Sequence, residues 1–316
     1  MTYSLQEAYA PPQLRVWREP RSFLFAHEPL FERITTPHAY WPKWRNADIP
    51  EAERRPKRVL APRWLCPFSA QKLEEFRTME QASPAWLGAR NCFLSSSRFG
   101  VIAAEHPQEW ERCVDFWRES TGRTPPKVFG PVQQGFLDHG KHFEPIARRT
   151  YERVTGTPPM REEGLRVDMH PPYIYSASPD GIGARGLIEI KCKAVGPAST
   201  EPPYYYLPQI AGAASIYGKE YSDYVGYWAR PRLAERFMYC ERVYTDPLYW
   251  TLLRLRLDYM AWCIVHDRPP TGMLFLKREY PLPTLRTEAL FFYEGTAEID
   301  DAVPPLPNFE DPVEVC

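Results

Sequence analysis

The chain has 316 residues, 44% of them hydrophobic and 25% charged, which leaves room for one large α/β domain with extensions. No apolar run nears the ~18 residues of a membrane-spanning helix, and a net charge of −1 leaves any nucleic-acid surface to a local patch. The seven cysteines contain no C-x-x-C pair, so zinc, iron–sulfur and redox-dithiol classes are set aside and the thiols are read as reduced packing groups.

The opening stretch MTYSLQEAYAPPQLRVWREP lacks the basic-then-apolar profile of a secretory leader, so the expected location is intracellular, in the cytoplasm or nucleus of a host cell, and not secreted. Residues 1–68 read as a proline-rich N-terminal extension with aromatics such as Trp17, Phe23, Phe25, Phe31, Trp41 and Trp44, packed on the main body. Its basic run, Arg54, Arg55, Lys57, Arg58 and Arg63, reads either as a phosphate-backbone contact or as a solvated loop. The main domain is expected over 69–280. Helical spacing runs from Ser69 to about Gln81 and from Pro107 to Ser120, where Trp110, Cys113, Val114 and Trp117 share one face. A longer helix is expected over Val132 to Thr155, with Phe136, Phe143, Ile146, Ala147, Tyr151 and Val154 as its stripe and Gly156, Pro158 and Pro159 as its stop.

Strand patterns follow at Leu165 to Met169, Tyr173 to Ala177 and Leu187 to Cys192. The turn-rich SPDGIGARG between the last two predicts an antiparallel hairpin joining them. A helix over Tyr204 to Tyr217, strands over Tyr224 to Ala229 and Arg236 to Tyr244, and a long helix from the Asp246-Pro247 cap to about His266 complete the domain. Residues 281–316 read as a proline-rich tail that turns acidic from Glu298.

The segment SASPDGIGARGLIEIKCKA (Ser176 to Ala194) carries the chemistry. Side chains alternate faces along a strand, so Glu189 and Lys191 point one way while Ile188, Ile190 and Cys192 point the other. Asp180, between Pro179 and Gly181, is placed to meet Glu189 across the hairpin, and two carboxylates so close call for a cation between them. Mg²⁺ fits best, with Mn²⁺ able to substitute, because the donors are hard oxygens, the Ile190 carbonyl among them. A lysine one pleat from metal-bound water suits phosphodiester hydrolysis. Taken alone, E-x-K in a strand reads better as a charge pair on a solvent face; Asp180, after Ser-Pro and before Gly and nine residues from Glu189, shifts the reading to a site.

S-P-D-G followed by I-E-I-K resembles the core of the PD-(D/E)XK nuclease superfamily, in the branch of YqaJ-like viral recombinases, phage lambda exonuclease and viral alkaline nucleases. Three further segments agree in order: WLGARNCFLSSSRFG (Trp86 to Gly100), GKHFEPIARRTYERVTG (Gly140 to Gly156) and YYYLPQIAGAASIYG (Tyr204 to Gly218). Ser95-Ser96-Ser97 departs from the family's commoner T-A-S, and the first 68 residues have no counterpart.

The resemblance implies an α/β fold, a restriction-endonuclease-like core with a central mixed β-sheet flanked by helices and a helical N-terminal wall. It implies Asp180 and Glu189 as metal ligands with the Ile190 carbonyl, Glu144 on the metal or its water, Lys191 at the nucleophile and Gln209 ordering that group. Arg90 and Ser97 would grip a 5′-phosphate, with Ser95 and Arg98 as candidates beside them. The expected activity is 5′-3′ exonuclease action on 5′-phosphorylated linear duplex DNA in recombination, repair or viral genome processing. The alternatives are an endonuclease or RNase on the same core, or a non-catalytic DNA-binding recombination scaffold. Expected partners are double-stranded DNA ends and a single-strand annealing protein, with no membrane; an oligomer is compatible.

Overall fold

The computed structural model describes residues 28–34, 68–125, 128–168, 175–196, 198, 200–229 and 234–297. The basic run at 54–63, the tail beyond 297, and Trp17, Phe23, Phe25, Trp41 and Trp44 lie outside the described residues.

The N-terminal half is helical. It comprises α1 (Glu28–Ile34), α2 (Ala70–Thr78), α3 (Pro84–Arg90), α4 (Phe99–Ala103), α5 (Pro107–Ser120) and α6 (Pro131–Thr155), with a short strand β1 (Leu94–Ser95) among them. Ser69 and Ser83 start α2 and α3 by accepting the Lys72 and Trp86 amide protons, which otherwise have no partner within the first turn. In α5 the expected face is inside: Cys113, Val114 and Trp117 are buried, and Trp110 packs at the core's edge. Phe31 of α1 contributes from the extension, its ring 5.3 Å from that of Tyr259.

The stripe on α6 is shorter than its sequence pattern. Phe143, Ile146, Ala147 and Tyr151 are buried, but Phe136 and Val154 are 46% and 36% exposed. All of residues 131–138 are exposed, so the first turns of the helix extend past the layer on which the stripe packs. Proline at its first turn has no N–H to leave unsatisfied, and Gly156 ends it at φ 67.

The remaining strands are β2 (Arg166–Asp168), β3 (Tyr175–Ala177), β4 (Gly181–Ile182), β5 (Gly186–Lys193), β6 (Tyr221–Ala229), β7 (Glu235–Tyr244) and β8 (Thr287–Thr296), and the helices are α7 (Leu207–Tyr217), α8 (Pro247–Val265) and α9 (Met273–Glu279). Five strands form a mixed sheet in the order β4-β5-β6-β7-β8, in which β5 and β6 are parallel. Parallel neighbours need a crossover, and α7 supplies it. The architecture is the expected α/β one, a mixed sheet flanked by helices. On β6, Val225, Tyr227 and Ala229 pack with α6, whereas Tyr224 and Trp228 join the core built on α7 and α8.

Two expectations are corrected. Tyr175–Ala177 does not pair with β5; it lies between β1 and β2 in a separate three-stranded sheet, and the hairpin partner of β5 is the two-residue β4. The chain therefore changes sheets at Ser178 to Asp180, and the tight turn falls later, where the Gly183 N–H meets the Gly186 carbonyl at 2.9 Å. The sheet also continues past 280, because β8 pairs antiparallel with β7, around a register shift at Cys240/Glu241.

Glu163 fastens the helical wall to this sheet change. Its buried carboxylate accepts from Arg77 of α2 at 3.0 Å and from Arg161 at 3.1 Å, and its carbonyl accepts from Gln81. Burial pushes this carboxyl up, but the Arg77, Arg166 and Arg161 guanidiniums outweigh it and hold it below the usual glutamate range. A depressed carboxylate stabilises the fold above its unfolded pKa and loses that contribution as pH falls through the folded value. Glu163→Gln is therefore expected to cost about 2 kcal/mol at neutral pH. In urea melts at falling pH the gap to the native chain should close below the ordinary glutamate range, and a pH-independent gap would remove the charge account.

Candidate active site

The site forms where the β4–β5 ladder stops. Asp180 stands one residue before β4; its N–H donates to the Ile188 carbonyl at 3.2 Å, and its carboxylate Oδ2 accepts the Ile190 N–H at 2.6 Å. Carrying the register Gly181↔Ile188 two residues further sets Pro179 opposite Ile190, and proline has no N–H to give. Ile190 thus presents both backbone groups on an edge that the Asp180 side chain, not a strand, occupies.

Alternation along β5 does the rest. Ile188 and Ile190 enter the α6-side core, while Glu189 turns toward α7, where its Oε1 accepts from Gln209 Nε2 and from Lys191 Nζ. Glu189 and Gln209 are both buried. Gln209 is fixed because α7 packs closely on α4: a Cβ on Gly212 would lie 2.5 Å from the Phe99 ring. Glu144 arrives half-buried from α6, at a position whose next residue, Pro145, cannot complete the helix ladder to Lys141.

The charges are strongly interdependent. Burial pushes the Asp180 carboxyl well above the usual range, and the Glu189 and Glu144 carboxylates push it further. Burial also raises Glu144, against the pull of Arg148 and Lys191. Burial alone lowers Lys191, yet the Glu189 and Asp180 carboxylates overcome this and hold it as an ammonium. An ammonium so held donates hydrogen bonds and neutralises negative charge.

Among the described residues no three acidic, histidine or cysteine side chains are gathered closely enough to hold an ion as they stand. The reason is visible: Glu189 is engaged by Lys191 and Gln209, and Asp180 by the Ile190 amide. The donors suit a hard divalent cation, since all are oxygens and the Asp180 and Glu144 carboxyls, each pushed up by burial and by Glu189, are what a cation relieves.

Arg90, the last residue of α3, lies with its guanidinium 4.6 Å from the Trp86 ring, and its Nη2 donates to Ser97 Oγ. Ser97 is exposed, and the buried Ser95 backs it at 3.1 Å between hydroxyl oxygens, so Ser97 is the hydroxyl open to a ligand. Trp86 in turn donates from Nε1 to the Gly164 carbonyl at 2.7 Å and to Ser178 Oγ at 3.2 Å, which ties this cradle to the segment carrying Asp180. Burial and Arg98 lower the Arg90 pKa, and Glu189 and Asp180 act against them, so Arg90 feels the carboxylate cluster. Arg98 is otherwise engaged, 3.7 Å from Glu119 and over the Phe116 ring.

Two supporting side chains escaped the sequence reading. Trp86 and Arg90 are one helical turn apart, a spacing that makes them neighbours and was a usable signal. Tyr206, 5.3 Å from Lys191 Nζ at its ring centroid, and stacked on Tyr224, had no signal beyond the run of three tyrosines. His139 and His142 pack their rings on Phe143, as expected of structural histidines.

These segments carry a family signature over their whole span. Residues 85–220 match the model of the YqaJ-like viral recombinase domain. This stretch of the chain is similar to the YqaJ-like viral recombinase domain. The matched segment runs from α3 to the residue before β6 and holds each of the candidate site residues named above. Among solved structures, the chain is similar to an alkaline exonuclease from Laribacter hongkongensis, at 23% identity and a TM-score of 0.47, over 62% of this chain and 97% of the other. The same enzyme in complex with dAMP matches at 22% identity and a TM-score of 0.44, with the same coverage. Comparison with curated proteins finds no match.

Proposed function

We propose that the chain is a divalent-metal-dependent deoxyribonuclease that works from the 5′-phosphorylated ends of linear duplex DNA. The observation that carries this reading is the joining of two sets of groups: Asp180, Glu189 and Lys191 at the open edge of β5, and the Arg90–Ser97 cradle within their electrostatic reach. Asp180, Glu189 and the Ile190 carbonyl would hold Mg²⁺, with Glu144 toward the metal or its water. When bound, such a cation supplies an acidified water and charge relief at the phosphate.

The chain's own groups do the remaining work. Lys191, kept charged by its two carboxylates, neutralises the anionic phosphorane-like transition state and orients the attacking water. Gln209 holds Glu189 in place. Arg90 offers a forked donor set and Ser97 a hydroxyl to a terminal phosphate, which fixes how far the end enters and so which linkage is cut. Water adds to phosphorus, the 3′-oxygen leaves, and the products carry a 5′-phosphate and a 3′-hydroxyl.

The test is a substrate panel. Protein with Mg²⁺ is expected to degrade a linear 5′-phosphorylated duplex and to leave a covalently closed circle and RNA intact, with EDTA abolishing turnover and Mn²⁺ restoring it. Cutting of the circle would make the enzyme an endonuclease, cutting of RNA a ribonuclease, and turnover undiminished by EDTA would remove the metal.

A further inference from the structure

Two cations beside the carboxylate cluster have no carboxylate partner among the described residues. One is Arg90, mounted on Trp86; the other is Lys193, whose Nζ lies 5.4 Å from the centroid of the Trp228 ring. Of the other described lysines, Lys191 pairs with Glu189, Lys72 with Glu75, Lys219 and Lys277 meet backbone carbonyls, and Lys141 is exposed on α6. Arg90 is tied through Trp86 to Ser178, in the segment that carries Asp180, and Lys193 ends β5, one pleat beyond Lys191.

The support under Lys193 is rigid. It is the register partner of Trp228 on the central strand, and that indole is 1% exposed. Alternation places Glu189, Lys191 and Lys193 on one face at intervals of roughly 7 Å, comparable to one nucleotide step of an extended strand. A half-buried ammonium at that position, braced on an aromatic face and unpaired, is built to meet an anion that passes the carboxylates.

We propose that Lys193, on the β5 face that carries Glu189 and Lys191, grips the phosphodiester one linkage 3′ of the scissile one, while Arg90 and Ser97 hold the 5′ end of the same strand. This rests on the DNA-hydrolysis reading of the site. It makes the site a ruler with two marks: the first sets the end, and the second keeps the strand in line as it advances.

The experiment is fluorescence anisotropy of a labelled 5′-phosphorylated duplex in EDTA, titrated with native, Lys193→Gln, Lys193→Arg and Lys72→Gln chains over a range of salt. Lys193→Gln is expected to bind about tenfold more weakly and to lower the log–log salt slope by about 1, with Lys193→Arg close to native and Lys72→Gln native. A duplex with a neutral methylphosphonate one linkage 3′ of the first should weaken native binding and leave Lys193→Gln unaffected. Native affinity and slope in Lys193→Gln, or a full methylphosphonate penalty in that variant, would overturn the assignment. If Lys193→Gln fails in this way while the native chain binds and cuts DNA, only the Lys193 grip falls; if the native chain neither binds nor cuts DNA, the functional reading falls with it.

Discussion

Asp180→Asn is expected to lose cleavage by at least about 10³-fold, some 4 kcal/mol of transition-state stabilisation, while the metal-free chain melts at a higher temperature than native. The loss follows from removing a charged oxygen donor at the open edge of β5. The gain follows from the same removal, because Asp180 is held among the Glu189 and Glu144 carboxylates and burial already disfavours its charge. Asparagine keeps an acceptor for the Ile190 N–H, so the edge contact at 2.6 Å survives. Relief of about 1 kcal/mol would raise Tm by roughly 3 °C. Since the Asp180 carboxyl is raised, the native chain is stabilised below the ordinary aspartate range and loses that contribution as pH rises through the folded value. The Tm gap should therefore widen with pH in EDTA, and adding Mg²⁺ should stabilise the native chain more than the variant. Native turnover in the variant would exclude Asp180 from the reaction, and a lower Tm would contradict the like-charge argument.

What could be read before folding was mostly local. The alternation that sets Glu189 and Lys191 opposite Ile188 and Ile190 needs only the period of a strand, and it holds. The bounds of α5 follow from its own spacing in the same way. The partner of β5 was not legible, because Tyr175–Ala177 and Gly181–Ile182 are both short and turn-flanked, and only the three-dimensional choice between two sheets separates them. The length of the α6 stripe failed for a related reason: an amphipathic pattern reports a face, not how much of it the sheet covers. Motif order brought Arg90, Glu144 and Gln209 to one place, but the Trp86 and Trp228 mounts depend on packing between elements far apart in sequence. The liganding set also came from chemistry alone, and the side chains instead satisfy one another with Lys191, Gln209 and the Ile190 amide.

Arg90→Ala should convert an enzyme that distinguishes chain ends into one that does not. In the folded chain the Arg90 guanidinium is oriented by Trp86 on one side and Ser97 on the other, and none of these groups contacts the β5 backbone through the bonds that position Glu189 and Lys191. Its removal therefore leaves the hydrolytic groups in place and deletes a charge-assisted contact worth about 1.5–3 kcal/mol, or roughly 10- to 100-fold. That loss is expected in kcat/KM on 5′-phosphorylated duplex, whereas on 5′-hydroxyl duplex, which has no terminal phosphate to hold, the change should stay within about threefold. Ser97→Ala should act in the same direction with a smaller effect, since one neutral hydroxyl is lost. Ser95→Ala should act through Ser97, because Ser95 is buried behind it. Equal losses on both substrates would mean that Arg90 supports the fold or binds the duplex generally, and would detach the cradle from end recognition. A selective loss would show that the distance from cradle to carboxylates decides where the first cut falls, and a duplex with a single unpaired 5′ nucleotide should then be cut one linkage in from its phosphate, as counted from Arg90 and not from the duplex junction.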